Sequence, residues 1–318
     1  MKYLLLHELA AEEYLLARII QGNPGREIRV PIGPRWGKLI LPAADEGRGR
    51  QPVGLRVLVI GSWTLGFLSL ETIKDMERKH PNELSLVGLV TDDPLDKEAR
   101  ISVGKRFWRY YDEGQREEFE LGLLEAALTF GVPCYTGEVK NDYFRAILAR
   151  LDPEVIIVSA FGQAIDRAII QYPPFGIYNV HPSDLRHGFG AGPQPWEDLL
   201  ARNASTTRVT IHHVAEAIDG GSIVGQSPLI NVLTVHGTVA ENVRMLGEKT
   251  LIPVAYMVGD LVSELIRRRE QAIPGPIESL DFEALLSREL KEQLKEPIDP
   301  ARKGHLLPLP PKDLRYSV

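Results

Sequence analysis

The stretch from Phe175 to Gln226 holds the side chains best suited to chemistry. Asn179 and His181 lie two apart in Gly176-Ile177-Tyr178-Asn179-Val180-His181-Pro182-Ser183. Asp219 follows 38 positions after the histidine, in Asp219-Gly220-Gly221. An amide, an imidazole and a carboxylate, with no serine or cysteine nucleophile among them, suit acyl transfer by direct attack of the acceptor. The protein then supplies oxyanion stabilisation and proton transfer, and one well-placed donor is worth roughly 3 kcal/mol of barrier. Taken singly, each residue has a structural explanation: Asn179 as a turn residue, Asp219-Gly220 as a turn pair, His181 as a buried, hydrogen-bonded ring. Their order and spacing together favour the chemical reading.

These side chains need elements to aim them. The apolar–polar alternation up to His181, closed by Pro182, predicts a strand running out into a loop. Residues two apart on a strand share a face, so Asn179 and His181 converge. Residues 209–214 predict a second strand that leads to a turn at Asp219; His213, next to His212, faces the other way. Near-continuous apolar runs at 55–60, 84–91 and 153–159 read as buried parallel strands. They alternate with helices up to Lys79, over 117–130 and over 142–150, which implies an α/β, doubly wound, mostly parallel sheet. Helices follow over 237–256 and 258–269. Gly61-Ser62-Trp63, between the first core strand and its helix, reads either as a tight turn or as a contact to the acceptor substrate. The dinucleotide fingerprint Gly-x-Gly-x-x-Gly is absent there, which argues against a nicotinamide cofactor.

Composition narrows the class. The chain has 318 residues, 44% of them hydrophobic and 25% charged, with a formal net charge of −6. Acidic balance argues against broad attraction to nucleic acid or anionic membrane. The one cysteine, Cys134, builds neither a disulfide nor a zinc site by itself, and no metal ligand set is evident. No apolar run approaches the ~20 residues of a membrane helix, and nothing reads as a secretory signal. A soluble cytoplasmic protein is expected.

Asn179-Val180-His181-Pro182-Ser183 followed by Asp219-Gly220-Gly221 resembles the signature of the folate-dependent formyltransferase family. The segment Thr210–Glu216 is similar to the glycinamide ribonucleotide branch, and Ser159–Gln163 to the methionyl-tRNA branch. The resemblance implies a Rossmann-like fold and formyl transfer from 10-formyltetrahydrofolate to an amine. It makes Asn179, His181 and Asp219 catalytic, gives Ser183 and His212 supporting roles, and assigns the folate to Ala160, Phe161, Gly162, Gln163, Val214 and Ala217. Gly61, Ser62 and Trp63 would meet the acceptor. A formylfolate hydrolase and a non-catalytic folate or nucleotide sensor are the competing readings.

The chain departs from the family at Asp184-Leu185-Arg186, where Leu-Leu-Pro is usual; this puts a charge pair beside the site. Gly188, Gly190 and Gly192 are expected to leave the next loop loose enough to close over a substrate. Residues 1–50 read as an N-terminal α/β extension: a helix over 1–22, a hairpin around Gly33–Gly37, and a linker from Asp45. Residues 51–250 read as the catalytic domain and 251–318 as a helical, proline-rich region too strand-poor for a β-barrel. The expected partner is a small-molecule amine, with no transfer RNA, other nucleic acid or membrane, and with room for a homo-oligomer.

Overall fold

The structure, a computed structural model, describes residues 27–32, 35–42, 52–91, 110–233 and 237–297. The helix expected over 1–22, most of the linker from Asp45 and the end of the proline-rich region, from residue 298, lie outside these residues.

Among the described residues nine strands form one sheet, in the order β1-β2-β5-β4-β3-β6-β7-β9-β10. The parallel centre comprises β5 (Cys134–Thr136), β4 (Leu84–Thr91), β3 (Leu55–Gly61), β6 (Val155–Ser159) and β7 (Ile177–His181). Antiparallel strands extend it at both ends. On one side stands the hairpin of β1 (Glu27–Ile32) and β2 (Arg35–Ile40); on the other, β9 (Thr210–His213) and β10 (Ile223–Gln226). A separate two-stranded ribbon pairs β8 (Thr206–Thr207) with β11 (Ile230–Asn231). The N-terminal hairpin is part of the main sheet, because β2 pairs with β5 through Leu39 and Tyr135.

Why the central strands read as continuous apolar runs is plain from their two faces. Leu55, Val57 and Val59 of β3 point into one core layer, with α1 (Trp63–Lys79), α2 (Glu113–Thr129) and residues of the later helices. Leu58 and Ile60 point into the opposite layer, with Phe144, Ile147 and Leu148 of α3 (Asp142–Leu151). Strand β6 divides likewise, Val155 and Ile157 to one layer and Ile156 and Val158 to the other. Both faces are covered, so the strands are apolar along most of their length, with buried Ser85, Thr91 and Ser159 as exceptions. On β7 the same alternation sends Tyr178 and Val180 into the first layer. Ile177 goes to the second, and Asn179 and His181 share its parity.

After β6 come α4 (Arg167–Ile170) and, beyond β7, α5 (Pro195–Ala201). Two long helices follow, α6 (Val239–Leu251) and α7 (Val254–Glu270), and two short ones, α8 (Phe282–Leu285) and α9 (Arg288–Lys295). Thr238 and Glu241 form a capping box that starts α6. The break between α6 and α7 falls at Pro253, earlier than the periodicity predicts. Proline lacks an N–H and crowds the residue before it, so it opens a helix more readily than it continues one. Among the described residues no helix is long and apolar enough to cross a membrane.

Ile157 is fully buried in the middle of β6. Ile157→Ala should destabilise the protein by about 2–5 kcal/mol through lost transfer free energy and an unfilled cavity. Urea unfolding of the two proteins measures this, and a difference below about 1 kcal/mol would mean that the layer collapses around the gap.

Candidate functional site

The site is built where β9 lies antiparallel to β7. Their register sets Asn179 opposite His212 and Tyr178 opposite His213. Asn179, His181 and His212 therefore project from one face, and His213 from the other. The chain between β9 and β10 is a hairpin loop that brings Asp219 back over the end of β7. Asp219 itself adopts φ 50°. The loop closes through a bond from His213 N–H to the Ser222 carbonyl at 2.9 Å. Gly221 makes that closure sterically feasible: a Cβ there would stand 1.7 Å from the His213 carbonyl oxygen.

Asn179 is the hub. Its Nδ2 lies 3.0 Å from His212 Nε2 and 3.2 Å from Asp219 Oδ1. His212 Nδ1 sits 2.8 Å from the His213 carbonyl oxygen. A carbonyl only accepts, so Nδ1 carries a proton, and in the neutral ring Nε2 accepts from the Asn179 amide. His181 Nε2 is 2.7 Å from the Gly190 carbonyl oxygen, so by the same logic it donates there. This leaves His181 Nδ1 turned towards Asp219 Oδ1, 3.6 Å away. The other Asp219 oxygen accepts the Gly192 N–H at 2.7 Å.

Burial separates the charges of this group. His181 is 7% exposed. Desolvation pushes its pKa below the ordinary 6.5, outweighing the opposing pull of Asp219 and the Gly190 carbonyl. The resting ring is therefore neutral near pH 7. For Asp219, burial alone would raise the carboxyl. The His212 ring, the field of His181 and the Gly192 N–H overcome that and hold it at about 2. A fixed carboxylate thus faces a neutral imidazole whose Nδ1 can take a proton.

The loop from 183 to 192 is tied down, contrary to the looseness expected from its glycines. The Gly190 N–H donates to Asp198 at 2.7 Å, Ser183 Oγ donates to the Gly190 carbonyl, and Thr210 Oγ1 donates to the Ser183 carbonyl at 2.6 Å. Gly190 adopts φ 63°, a conformation that side chains resist. Its backbone is thus a working part of the site that residue-type reasoning passed over. Asp184 does not pair with Arg186. It is buried and bonds His187 Nδ1 at 2.8 Å and Gln226 Nε2 at 2.9 Å. Burial pushes its carboxyl up, but Gln226 and His187 outweigh that and hold it below the usual range.

A cleft of about 90 Å³ opens against Asn179 and Asp219. Phe161, Gln163, Val214 and Ala217 line it, together with His212. Val158, Ala164, Ile165, Ala215, Glu216 and Ile218 complete the wall. The apolar members of this wall follow from strand parity and loop proximity, neither of which a motif reports. Ala160 and Gly162 do not line the cleft. Ala160 sits at φ 55° and its carbonyl accepts from Ser62 Oγ at 2.7 Å. The Gln163 side chain serves as a strut: its Oε1 accepts from Val139 N–H and its Nε2 donates to the Gly137 carbonyl, both at 3.0 Å. Gly61, Ser62 and Trp63 also stay out of the cleft. Ser62 is fully buried, and the Trp63 ring packs edge-on against Trp196 with centroids 5.2 Å apart.

The Formyl transferase family profile matches residues 134–254, which contain this whole constellation. Methionyl-tRNA formyltransferase of Pelotomaculum thermopropionicum is 30% identical over 175 residues, 54% of this chain and 55% of that protein. The enzyme of the same name from Syntrophus aciditrophicus is 36% identical over 102 residues, 32% of each chain. The aligned part spans about half or less of these relatives' length. Among solved structures, phosphoribosylglycinamide formyltransferase of Anaplasma phagocytophilum shares the fold, with a TM-score of 0.50 at 16% identity. That match covers 67% of this chain and 87% of the other. Glycinamide ribonucleotide transformylase 1 of Geobacillus kaustophilus gives 0.50 at 17%, covering 67% and 99%. Residues 134–254 thus carry a match to the formyl transferase family, and the fold is shared with the two transformylases.

These relatives overturn the expectation that transfer RNA plays no part, since proteins acting on methionyl-tRNA share this sequence most visibly. That expectation leaned on net charge, which is a sum over the chain and says nothing about where basic side chains gather on a surface.

The depressed Asp219 value has a measurable consequence. A carboxyl that binds its proton more weakly in the native state stabilises that state fully above the unfolded value of 3.8. That contribution, about 2 kcal/mol, is lost as pH falls towards 2. His181, held below 6.5, acts in the same direction from higher pH. Unfolding free energy measured from about pH 5 down to about pH 2 should therefore fall more steeply in the native protein than in Asp219→Asn. Equal slopes would show that the carboxyl is not held down.

Proposed function

We propose that this protein transfers a formyl group from 10-formyltetrahydrofolate to a primary amine. The observation that carries this reading is the convergence of Asn179, His181, His212 and Asp219 beside a cleft with one apolar wall. The cleft suits one flat ring and is smaller than a typical pocket for a whole ligand of that size, which is about 300 Å³ or more. Phe161, Val158, Ile165, Val214 and Ala217 would hold that ring, with its formyl-bearing end beside Asn179. The folate supplies the formyl group.

When the amine nitrogen attacks, a C–N bond forms and the formyl oxygen gains charge. Asn179 Nδ2 can exchange its bond to Asp219 for one to that oxygen. The new ammonium must lose a proton before the bond to the folate nitrogen breaks. His181 Nδ1 accepts it, because Nε2 is already committed to Gly190. Asp219, ionised at about 2, is a poor proton acceptor and a good counter-charge; it stabilises the imidazolium. The proton then passes from His181 to the departing folate nitrogen, leaving the ring neutral again. Gly190 and His212 hold the two working side chains in orientation. Residues 51–250 are proposed as the catalytic unit.

The relatives' names make the amine of methionyl-tRNA the first acceptor to present. The Asp184-Leu185-Arg186 departure beside the site leaves the acceptor open, so a sugar-nucleotide, ribonucleotide or amino-acid amine is the second class to present. Incubation with formylfolate and each acceptor class distinguishes them by product. Amine-independent loss of formylfolate would instead indicate a hydrolase, and saturable binding without turnover would overturn transfer altogether. Asn179→Ala and His181→Ala should each lower kcat by at least about a hundredfold with little change in KM for formylfolate. Equal losses in both constants would mean that these side chains bind the folate rather than stabilise the transition state.

A further inference from the structure

The rung next to Asn179–His212 presents two rings to the opposite face of the sheet. Tyr178 and His213 are register partners, with ring centroids 5.0 Å apart. Both reach the backbone of one residue in the chain that follows α7. The Ile277 N–H donates to Tyr178 Oη at 2.7 Å, and His213 Nε2 donates to the Ile277 carbonyl at 2.9 Å. Tyr178 Oη in turn donates to the Phe175 carbonyl at 2.8 Å, at the entry to β7. One residue far along the chain thus has both its backbone groups taken by side chains from the two strands that carry Asn179 and His212.

The surrounding chain makes this contact a fixed one. Arg268 of α7 donates to the Pro276 carbonyl at 2.6 Å. The Leu280 N–H donates to the Val224 carbonyl on β10 at 2.9 Å. Ile277 itself is 3% exposed, and Tyr178 is fully buried. Residues 276–280 therefore run as a strap behind β7, β9 and β10, held at both ends.

We infer that Tyr178 and His213 are positioning residues: by clamping Ile277 they hold β7 and β9 at the spacing that brings Asn179 to His212. Neither touches the cleft, so they act through their neighbours. A side-chain clamp that ties both strands to Ile277 limits their sliding and splaying, and the site's 3.0 Å bond between Asn179 and His212 sits one residue away on each strand. Catalytic groups demand that precision; a displacement of about 1 Å can cost a hundredfold in rate. This inference rests on the transfer reading for its kinetic effect and on geometry alone for its structural effect.

The experiment uses the full chain with Tyr178→Phe, His213→Leu and His213→Gln. Tyr178→Phe keeps the ring and removes one hydroxyl; His213→Gln keeps a donor able to reach Ile277. Tyr178→Phe and His213→Leu should lower kcat roughly tenfold with KM for formylfolate unchanged, in folded protein. His213→Gln should recover most of the loss. Independently of any turnover, the His212 ring resonance of the substrate-free protein should shift in Tyr178→Phe and His213→Leu and return towards the native position in His213→Gln. If His213→Leu fails to fold, Tyr178→Phe alone decides by the same two measurements. An unmoved His212 resonance in Tyr178→Phe would overturn the inference, as would identical kcat for the leucine and glutamine variants. Absence of turnover in the native protein would count against the transfer reading only, because the resonance measurement stands by itself.

Discussion

The antiparallel register between β7 and β9 is the constraint on which the site depends. It places Asn179 opposite His212, and a slip of one residue would turn both to the wrong face. With that rung set, the hairpin loop after β9 needs only a few residues to bring Asp219 onto the same amide. Asn179 then serves two purposes. It links an imidazole to a carboxylate, and the N–H it lends to Asp219 is the one it can release to an oxygen in the cleft. The charge separation follows from the same burial: an acid surrounded by N–H groups stays ionised, while an imidazole enclosed on its Nε2 side stays neutral.

Much of this was legible in sequence because strand parity is a strict rule. The spacing of Asn179 and His181 implies a shared face, and the apolar runs of β3, β4 and β6 imply a sheet covered on both sides. Motif order placed Asp219 near them. What parity cannot report is which polar groups are already engaged. Gln163 reads in sequence only as part of the folate loop, yet besides lining the cleft its side chain braces Gly137 and Val139. Trp63 looks like a turn residue free to meet a substrate, yet its ring lies in the core against Trp196. Gly190 and Gly192 read as looseness, yet their backbones hold His181 and Asp219. In each case the deciding partner is distant in the chain or is a main-chain atom, and neither leaves a mark on residue type.

Asp184 illustrates the same limit at the point where this chain departs from the sequence pattern it resembles. Charge order suggests a pair with Arg186 two residues on. Instead the carboxylate turns inward to His187 and Gln226, replacing apolar packing with a buried polar junction between the catalytic loop and β10. Such a junction is directional where packing of leucines is not, so it specifies the loop's conformation and is less tolerant of substitution.

The strap behind the catalytic strands has one more effect. Strand β10 ends the sheet, and an end strand offers unpaired main-chain groups to any passing chain. Because Leu280 already bonds Val224, and β10 has only four residues, little of that rim remains for a foreign strand to zip onto. The same few residues that steady the interior of the site thereby blunt the sheet as a template for self-association.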